Sequence, residues 1–282
     1  MNHTTLHMFN IVAEEQSVTK AAKRLGRVQS NITTRIQQLE EDLGVTLFVR
    51  DNKKMALSPA GVNFLSYAQK ILSLAEEARQ ALHPGKPAGL LNMGSMEATA
   101  ASRLTPVFQQ FHHRWPEVSL TLKTLPTRQL LERVRNASLD CALVSLLPDS
   151  EGLTECPEDL EFVDVFSESL VLLTPRTADG SNVRLAAFPR GCSYRARGEA
   201  LFISQTAVEV QDVSSYHTMI ACVAAGRHCC VLPESVAATL VLPQDIHQQF
   251  LAEALTQLVW RKGYRSPALE AMKQALASAS NL

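Results

Sequence analysis

The sequence predicts an α/β protein in three parts: an N-terminal winged helix-turn-helix, a long linker helix, and a two-lobed α/β domain. Three observations carry that expectation. Residues 17–57 hold two helix patterns parted by a glycine and followed by two apolar arms. One unbroken helical pattern runs from Pro59 to Leu82. From Leu90 onward, short apolar strand patterns alternate with helices. The boundaries expected are 1–58, 59–88 and 89–282, with one lobe at about 89–160 and 262–282 and the other at about 161–261.

Ser17 is placed to cap a short helix whose inner face is narrow at Ala21 and Ala22. Leu25 and Gly26 end it, because glycine tolerates the left-handed turn at a helix terminus. A second helix then spans about Gln29 to Leu43, with Ile32, Ile36, Leu39 and Leu43 on one stripe. Its opposite face carries Gln29, Ser30, Asn31, Thr33, Thr34 and Arg35, short polar groups and one guanidinium suited to a major groove. Gln29, Ser30, Thr33 and Thr34 are expected to read bases, and Arg35 a base or a phosphate. Phe48-Val49-Arg50 and Met55-Ala56-Leu57 flank Asp51-Asn52-Lys53-Lys54, the pattern of a short basic wing. Arg50, Lys53 and Lys54 would hold the DNA backbone.

These residues carry a specific resemblance. Ala21-Ala22 with Leu25, then Gln29-Ser30-Asn31-Ile32-Thr33, Leu39-Glu40, Leu43-Gly44, Leu47-Phe48, Arg50 and Leu57-Ser58-Pro59-Ala60-Gly61 resemble the N-terminal domain of LysR-type transcriptional regulators. The ordered match covers about 60 residues. The sequence departs from the family where Val28-Gln29-Ser30 replaces the usual Ser-Gln-Pro entry to the recognition helix, and where Arg27 puts a cation in the turn. Both read as changes in operator preference or helix-entry geometry.

Charge agrees locally. Residues 17–58 hold eight cations (Lys20, Lys23, Arg24, Arg27, Arg35, Arg50, Lys53, Lys54) against four anions (Glu40, Glu41, Asp42, Asp51), whereas the whole chain has net charge -1. A modest basic face on a neutral chain fits a sequence-selective binder, not a general polyanion binder.

At 282 residues, 46% hydrophobic and 20% charged, the chain has room for two or three compact units. No apolar run approaches the roughly 18 residues of a membrane span. The start lacks a basic region followed by an apolar core, so no signal peptide is read there. Six irregularly spaced cysteines argue against a disulfide scaffold. A cytoplasmic protein with no membrane contact is expected.

On the linker helix, proline suits the first turn at Pro59. Leu65, Ala68, Leu72, Ala75 and Leu82 alternate four- and three-residue steps, interrupted at Arg79, as in a short coiled-coil seam. The rival reading is a helix packed on its own domain. Beside a helix-turn-helix the seam implies a dimer. His83-Pro84-Gly85-Lys86-Pro87-Ala88-Gly89 ends the helix as a hinge.

Beyond the hinge, strands are expected at Leu90–Met93, Val118–Lys123 and Cys141–Leu146, with helices at Thr99–His113 (broken at Pro106) and Arg128–Asn136. A second block has strands at Phe162–Phe166, Leu170–Leu173, Asn182–Phe188, Val208–Val210, Cys229–Leu232 and Leu255–Arg261. Its helices start near Ser193 and cover Ser214–Ala225 and Ser266–Ser278, and Thr174–Val183 reads as a loop. The alternation predicts a parallel sheet. The two blocks resemble the lobes of the periplasmic-binding-protein-like effector domain of the same family.

Ligands of open α/β sheets sit at the carboxyl ends of strands. That rule selects Ser95, Met96, Glu97 and Thr99, then Thr127, then Cys192, Ser193, Tyr194 and Arg195, then Ser215 and Tyr216. Glu97 could take an amine and Arg195 a carboxylate, so the effector expected is a small zwitterion, amine or carboxylate. For Ser95, Thr99 and Thr127 the rival role is a helix cap, and for Arg195 a surface salt bridge. Cys192, beside Arg190 and Arg195 at a helix start, suggests a depressed thiol pKa and an alternative redox-sensing function. Cys222, His228, Cys229, Cys230 and His217 lack metal-ligand spacing, and no metal or cofactor is expected. No G-x-S-x-G, H-E-x-x-H, phosphate loop or dinucleotide fingerprint supports an enzyme. The resemblance implies a regulator with double-stranded promoter DNA, at near-palindromic sites, and a small effector as partners. It also implies a homodimer or homotetramer and admits RNA polymerase as a further partner.

Overall fold

The computed structural model describes residues 1–51, 54–82, 87–148, 154–176, 184–202 and 209–280. They form two compact units, the first holding the residues up to Leu82 and the second those from Pro87 onward apart from Asn136–Ser138; His83 to Lys86 of the expected hinge lie outside the described residues.

The first unit opens with α1 (His3–Glu15), a helix unassigned from sequence, capped by Asn2, whose side chain accepts from the Thr5 N–H. α2 (Val18–Leu25) starts at the Ser17 cap and ends at Gly26 with φ 61°. α3 (Gln29–Leu43) ends at Gly44 with φ 67°. β1 (Phe48–Asp51) and β2 (Lys54–Leu57) pair antiparallel to make the wing. The unit closes with α4 (Pro59–Ala81).

Its core gathers Leu6, Phe9 and Val12 from α1, Ala21 and Ala22 from α2, Ile32, Ile36 and Leu39 from α3, and Leu47 and Phe48 before the wing. Phe9 sits at the centre, with ring centroids 5.2 Å from both Phe48 and Phe64. Burying each such ring stabilises the unit by about 1.5–3 kcal/mol. Ala21 and Ala22 let α2 lie close to its neighbours, where a larger residue would overfill the space.

The expected coiled-coil stripe on α4 turns inward over its first half. Ala68 is fully buried in this core, with Phe64, Leu65 and Leu72 packed on it. Tyr67, Ile71 and Leu74, at four- and three-residue steps, form the uncovered apolar face instead, 58%, 42% and 66% exposed. The rival reading, a helix packed on its own domain, therefore holds for Leu65, Ala68 and Leu72.

The second unit holds β3 (Gly89–Ser95), α5 (Glu97–Ser102), α6 (Leu104–Arg114), β4 (Val118–Thr124), α7 (Thr127–Arg135) and β5 (Cys141–Val144). Then come β6 (Leu160–Pro175), β7 (Arg184–Ala187), α8 (Ser193–Ala200), β8 (Val210–Asp212), α9 (Tyr216–Ala224), β9 (His228–Pro233), α10 (Glu234–Ala237), β10 (Ile246–Arg261) and α11 (Pro267–Ser280). The eight strands run in the order β4-β3-β5-β10-β6-β9-β7-β8.

The sheet is mixed, which corrects the parallel one expected. β4-β3-β5 and β9-β7-β8 are parallel triplets, and the antiparallel pair β10–β6 joins them. β6 and β10 are each 16 residues long and run through both halves. The two strands expected at 162–166 and 170–173 are thus one, and Thr174, expected in a loop, lies within it. The expected break at Pro106 falls at Arg103, between α5 and α6. Pro106 sits in the first turn of α6, where a missing N–H costs nothing.

Gly94 brings α7 down onto the sheet. A Cβ there would lie 2.4 Å from a methyl of Leu130 and 2.7 Å from one of Leu139. That close seat sets where α7 begins, just past the carboxyl end of β4. Among the described residues no helix is long and apolar enough to cross a membrane.

Candidate nucleic-acid interface and ligand cavity

In the first unit the feature that stands out is the free face of α3. Val28 precedes the helix in extended conformation, and no side chain caps its leading N–H groups. Such an end favours a phosphate oxygen. Ser30 and Thr34 are exposed, and Gln37, missed in the sequence, continues their line at i, i+4 and i+7. Gln38 and Arg35 are exposed beside it.

Two expected readers are partly committed. The Gln29 side-chain amide donates to Thr19 Oγ1 at 2.8 Å, which ties α3 to α2 and leaves the Gln29 oxygen free of that bond. Asn31 is half-buried, its side-chain oxygen without a hydrogen-bond partner among the described residues, and Thr33 is half-buried. Arg50 and Lys54 lie on the paired strands of the wing, and Lys53 lies outside the described residues.

The wing is held to α3 by a residue not expected to act there. Glu40 Oε1 accepts from the backbone N–H groups of Leu47 (2.6 Å) and Phe48 (3.0 Å). Ser58 Oγ donates to the Thr46 carbonyl at 2.6 Å and accepts from the Gly61 N–H at 2.9 Å, so the wing's end and the start of α4 share one anchor. At Gly61 a Cβ would meet the Leu47 carbonyl oxygen at 2.0 Å, so only glycine fits. Arg24, counted among the local cations, is spent on Glu14 (2.8 Å) and Glu15 (3.0 Å) of α1.

In the second unit the carboxyl ends of β3, β4, β7 and β8 converge on a cavity of about 390 Å³. Of the residues expected at a ligand site, Met96, Glu97, Thr127, Cys192, Tyr194 and Tyr216 line it. Ser214, in the stretch expected after β8, lines it too; Phe188 and Pro189 were missed, although the strand-end rule would have found them had β7 been ended at Ala187. Phe188 and Tyr216 stack edge to face at 4.9 Å. Burial pushes the phenols of Tyr194 and Tyr216 well above their usual range. The Tyr194 hydroxyl is buried beside Thr256.

The other expected residues turn elsewhere. Ser95 is buried and donates to the Met96 carbonyl, and Thr99 is buried with its hydroxyl unpartnered among the described residues. Ser215 caps α9 by accepting from the Thr218 N–H. Arg195 is the main correction. Its Nε donates to Glu199 at 2.7 Å, and its Nη1 to Asp212 at 2.6 Å and to the Phe188 carbonyl at 3.2 Å. The grip expected on a ligand carboxylate is made within the chain, and the side chain is 7% exposed.

Cys192 corrects a second expectation. Burial raises its thiol pKa, outweighing the N–H groups of Arg195 and Tyr194 that favour the thiolate. Among the described residues no group of three His, Cys, Asp or Glu could hold a metal.

Ser193 and Arg195 line a second recess of about 500 Å³ with Arg128, Arg190 and Glu155. The two halves touch between the recess and the cavity. The Arg128 N–H donates to the Gly191 carbonyl at 3.2 Å, and Thr127 Oγ1 lies 3.3 Å from Ser193 Oγ.

Comparison with known proteins places these features in context. Residues 3–62 match the family described as "Bacterial regulatory helix-turn-helix protein, lysR family", and residues 84–281 match "LysR substrate binding domain". The chain is 35% identical over 266 residues to the transcriptional regulator YusT of Bacillus subtilis, covering 92% of this chain and 88% of that one. It is 35% identical over 249 residues to the regulator GltR of the same organism, covering 85% and 82%. Among solved structures, a cysteine-to-aspartate variant of full-length OxyR from Pseudomonas aeruginosa superposes with a TM-score of 0.72 at 23% identity, covering 100% of this chain and 95% of that one. CbnR in complex with its target DNA superposes with a TM-score of 0.64 at 24% identity, covering 99% and 100%. At these identities the structures speak for the fold.

Proposed function

The chain belongs to the lysR family of bacterial regulatory helix-turn-helix proteins, and from that membership we propose how its residues divide the work of a ligand-responsive transcription regulator. It is a DNA-binding regulator with an effector-binding domain. In our reading Ser30, Thr34 and the free oxygen of Gln29 meet base edges, with Thr33 and Asn31 beside them. Arg35 takes a base or phosphate, and Arg50, Lys53 and Lys54 hold backbone. The observation that carries this is the uncovered polar face of α3, whose apolar side is wholly spent on the core.

We read the regulator as a homodimer or homotetramer, on the uncovered apolar face of α4. We place one contact along Tyr67, Ile71 and Leu74 of α4. The effector occupies the 390 Å³ cavity rather than the larger recess, because three aromatic side chains and a single charged one line it, whereas the recess is lined by several charged residues and no aromatic one. A ligand that binds one arrangement of the two halves better than another shifts the population, and so the spacing of the DNA readers. The relatives are regulators, and we read no enzymatic activity and a cytoplasmic site of action.

The test is selection of genomic fragments by the purified protein at a fixed salt concentration. Recovery of near-palindromic sites, lost with Ser30→Ala/Thr34→Ala, is expected. Sequence-blind, salt-sensitive binding would overturn the base-reading assignment.

A further inference from the structure

The cavity at the strand ends has an unbalanced charge. Glu97 is its one charged lining residue among those described; no lysine or arginine lines it. The nearby guanidiniums are spent or turned away. Arg195 is paired with Asp212 and Glu199, and Arg103 grips Glu168 at 2.8 and 3.1 Å. Arg128 and Arg190 line the other recess.

Glu97 takes no ion pair or hydrogen bond among the described residues, and it is exposed, so its carboxylate keeps water until something displaces it. The other walls pair uncharged polar groups, Thr124, Thr127, Gln129 and Ser214, with apolar and aromatic ones, chiefly Met96, Leu125, Phe188, Tyr194 and Tyr216. Three aromatic rings, Phe188, Tyr194 and Tyr216, line the cavity, the first and last packed edge to face. Ring faces carry partial negative charge and attract organic cations. The buried Tyr216 phenol is held protonated, with Glu97 among the charges that favour its neutral form. A carboxylate ligand would therefore meet a like charge and no cationic side chain among the lining residues.

Resting on the reading of this cavity as the effector site, we propose that the effector is an organic cation. It would be an amine or quaternary ammonium on an apolar body, paired with Glu97 and packed against Phe188, Tyr194 and Tyr216. This narrows the zwitterion, amine or carboxylate that the sequence left open. The cavity's volume suits a ligand of that size with its apolar part enclosed.

The experiment is calorimetric titration of the full-length protein with 2-phenylethylamine and with 3-phenylpropanoate, which share a shape and differ in charge. The amine should bind the unaltered protein about tenfold more tightly or better. Glu97→Gln should remove that preference, and Glu97→Asp should keep most of it. Ser214→Trp, which fills the cavity from an exposed position, should abolish binding of the amine. Tighter binding of the carboxylate, binding of neither at millimolar concentration, or a preference unchanged in Glu97→Gln would overturn the cation assignment. If both probes bind alike and Ser214→Trp removes both, the cavity stands as a ligand site and only the charge class falls. If Ser214→Trp leaves binding untouched, the effector-site reading falls with it.

Discussion

The backbone N–H of Arg128 donates to the carbonyl of Gly191 at 3.2 Å, joining the two halves of the α/β unit beside the cavity. Gly191 has φ +98°, and a Cβ there would lie 3.1 Å from the Arg128 Cβ. Glycine thus serves both the turn and the close approach. Gly191→Ala should cost of order 1–3 kcal/mol. Thermal melting of the α/β unit should fall and its ligand affinity weaken, while DNA binding by the unliganded protein changes less. An unaltered melting temperature would show that this contact is not a constraint.

The two faces of α4 should respond differently to charge. Ile71→Glu and Leu74→Glu alter exposed positions, so the chain should fold and its oligomer dissociate in sedimentation velocity. Ala68→Glu places a carboxylate in the core of the first unit and should unfold it. A Leu74→Glu protein that sediments as the unaltered one does would remove α4's outer face from the interface.

How much of this was legible in the sequence depends on whether the deciding contact was local. α3 was bounded correctly because Leu43-Gly44 and the isoleucine stripe are local signals. α1 carried such signals too, in Asn2 and in Leu6, Phe9 and Val12, yet stayed unassigned beside the stronger motif. Strand direction was not legible. The first half of β10, His247-Gln248-Gln249-Phe250, reads as a polar loop and is a strand only because β6, more than 70 residues earlier, pairs with it. The same holds at the site. The strand-end rule found Met96, Glu97 and Thr127, but nothing near Arg195 announces that Asp212, 17 residues on, will claim it. On α4, a periodicity of four and three fits both faces, and only the packing on α1 says which is covered.

Cys192 should be a slow thiol. Its pKa is raised by burial, so the thiolate is scarcer at neutral pH than for an ordinary cysteine. Alkylation by iodoacetamide, followed residue by residue by mass spectrometry, should be slower at Cys192 than in a short peptide. Its rate should climb only as pH passes above the usual thiol range. Peroxide should leave DNA binding unchanged. Rapid modification at pH 7 would restore the redox-sensing alternative.

Arg103 and Glu168 form a bidentate ion pair in the α/β unit. Glu168 on β6 is 3% exposed, takes two bonds from Arg103 and accepts a third from Ser235 Oγ at 2.7 Å. Arg103→Ala would strand a buried carboxylate and should destabilise the unit by about 3–5 kcal/mol. Arg103→Met/Glu168→Leu, which removes both charges, should recover most of that in urea denaturation. A single variant as stable as the double would mean that water already screens the pair.

The last prediction concerns Val28, which departs from the family's entry to the recognition helix. It is 68% exposed at the leading end of α3 and provides no cap for the N–H groups behind it. An exposed branched side chain there costs stability that serine would return, so Val28→Ser should stabilise the first unit by about 1 kcal/mol. In a major groove the same methyls would pack on a thymine methyl. On a selected site, replacing the facing thymine with deoxyuridine should weaken binding by the unaltered protein and leave Val28→Ser indifferent. The substitution should therefore raise the melting temperature and lower selectivity together. If Val28→Ser discriminates thymine from deoxyuridine as well as the unaltered protein does, Val28 does not read the base, and the Ser-Gln-Pro departure reflects helix geometry alone.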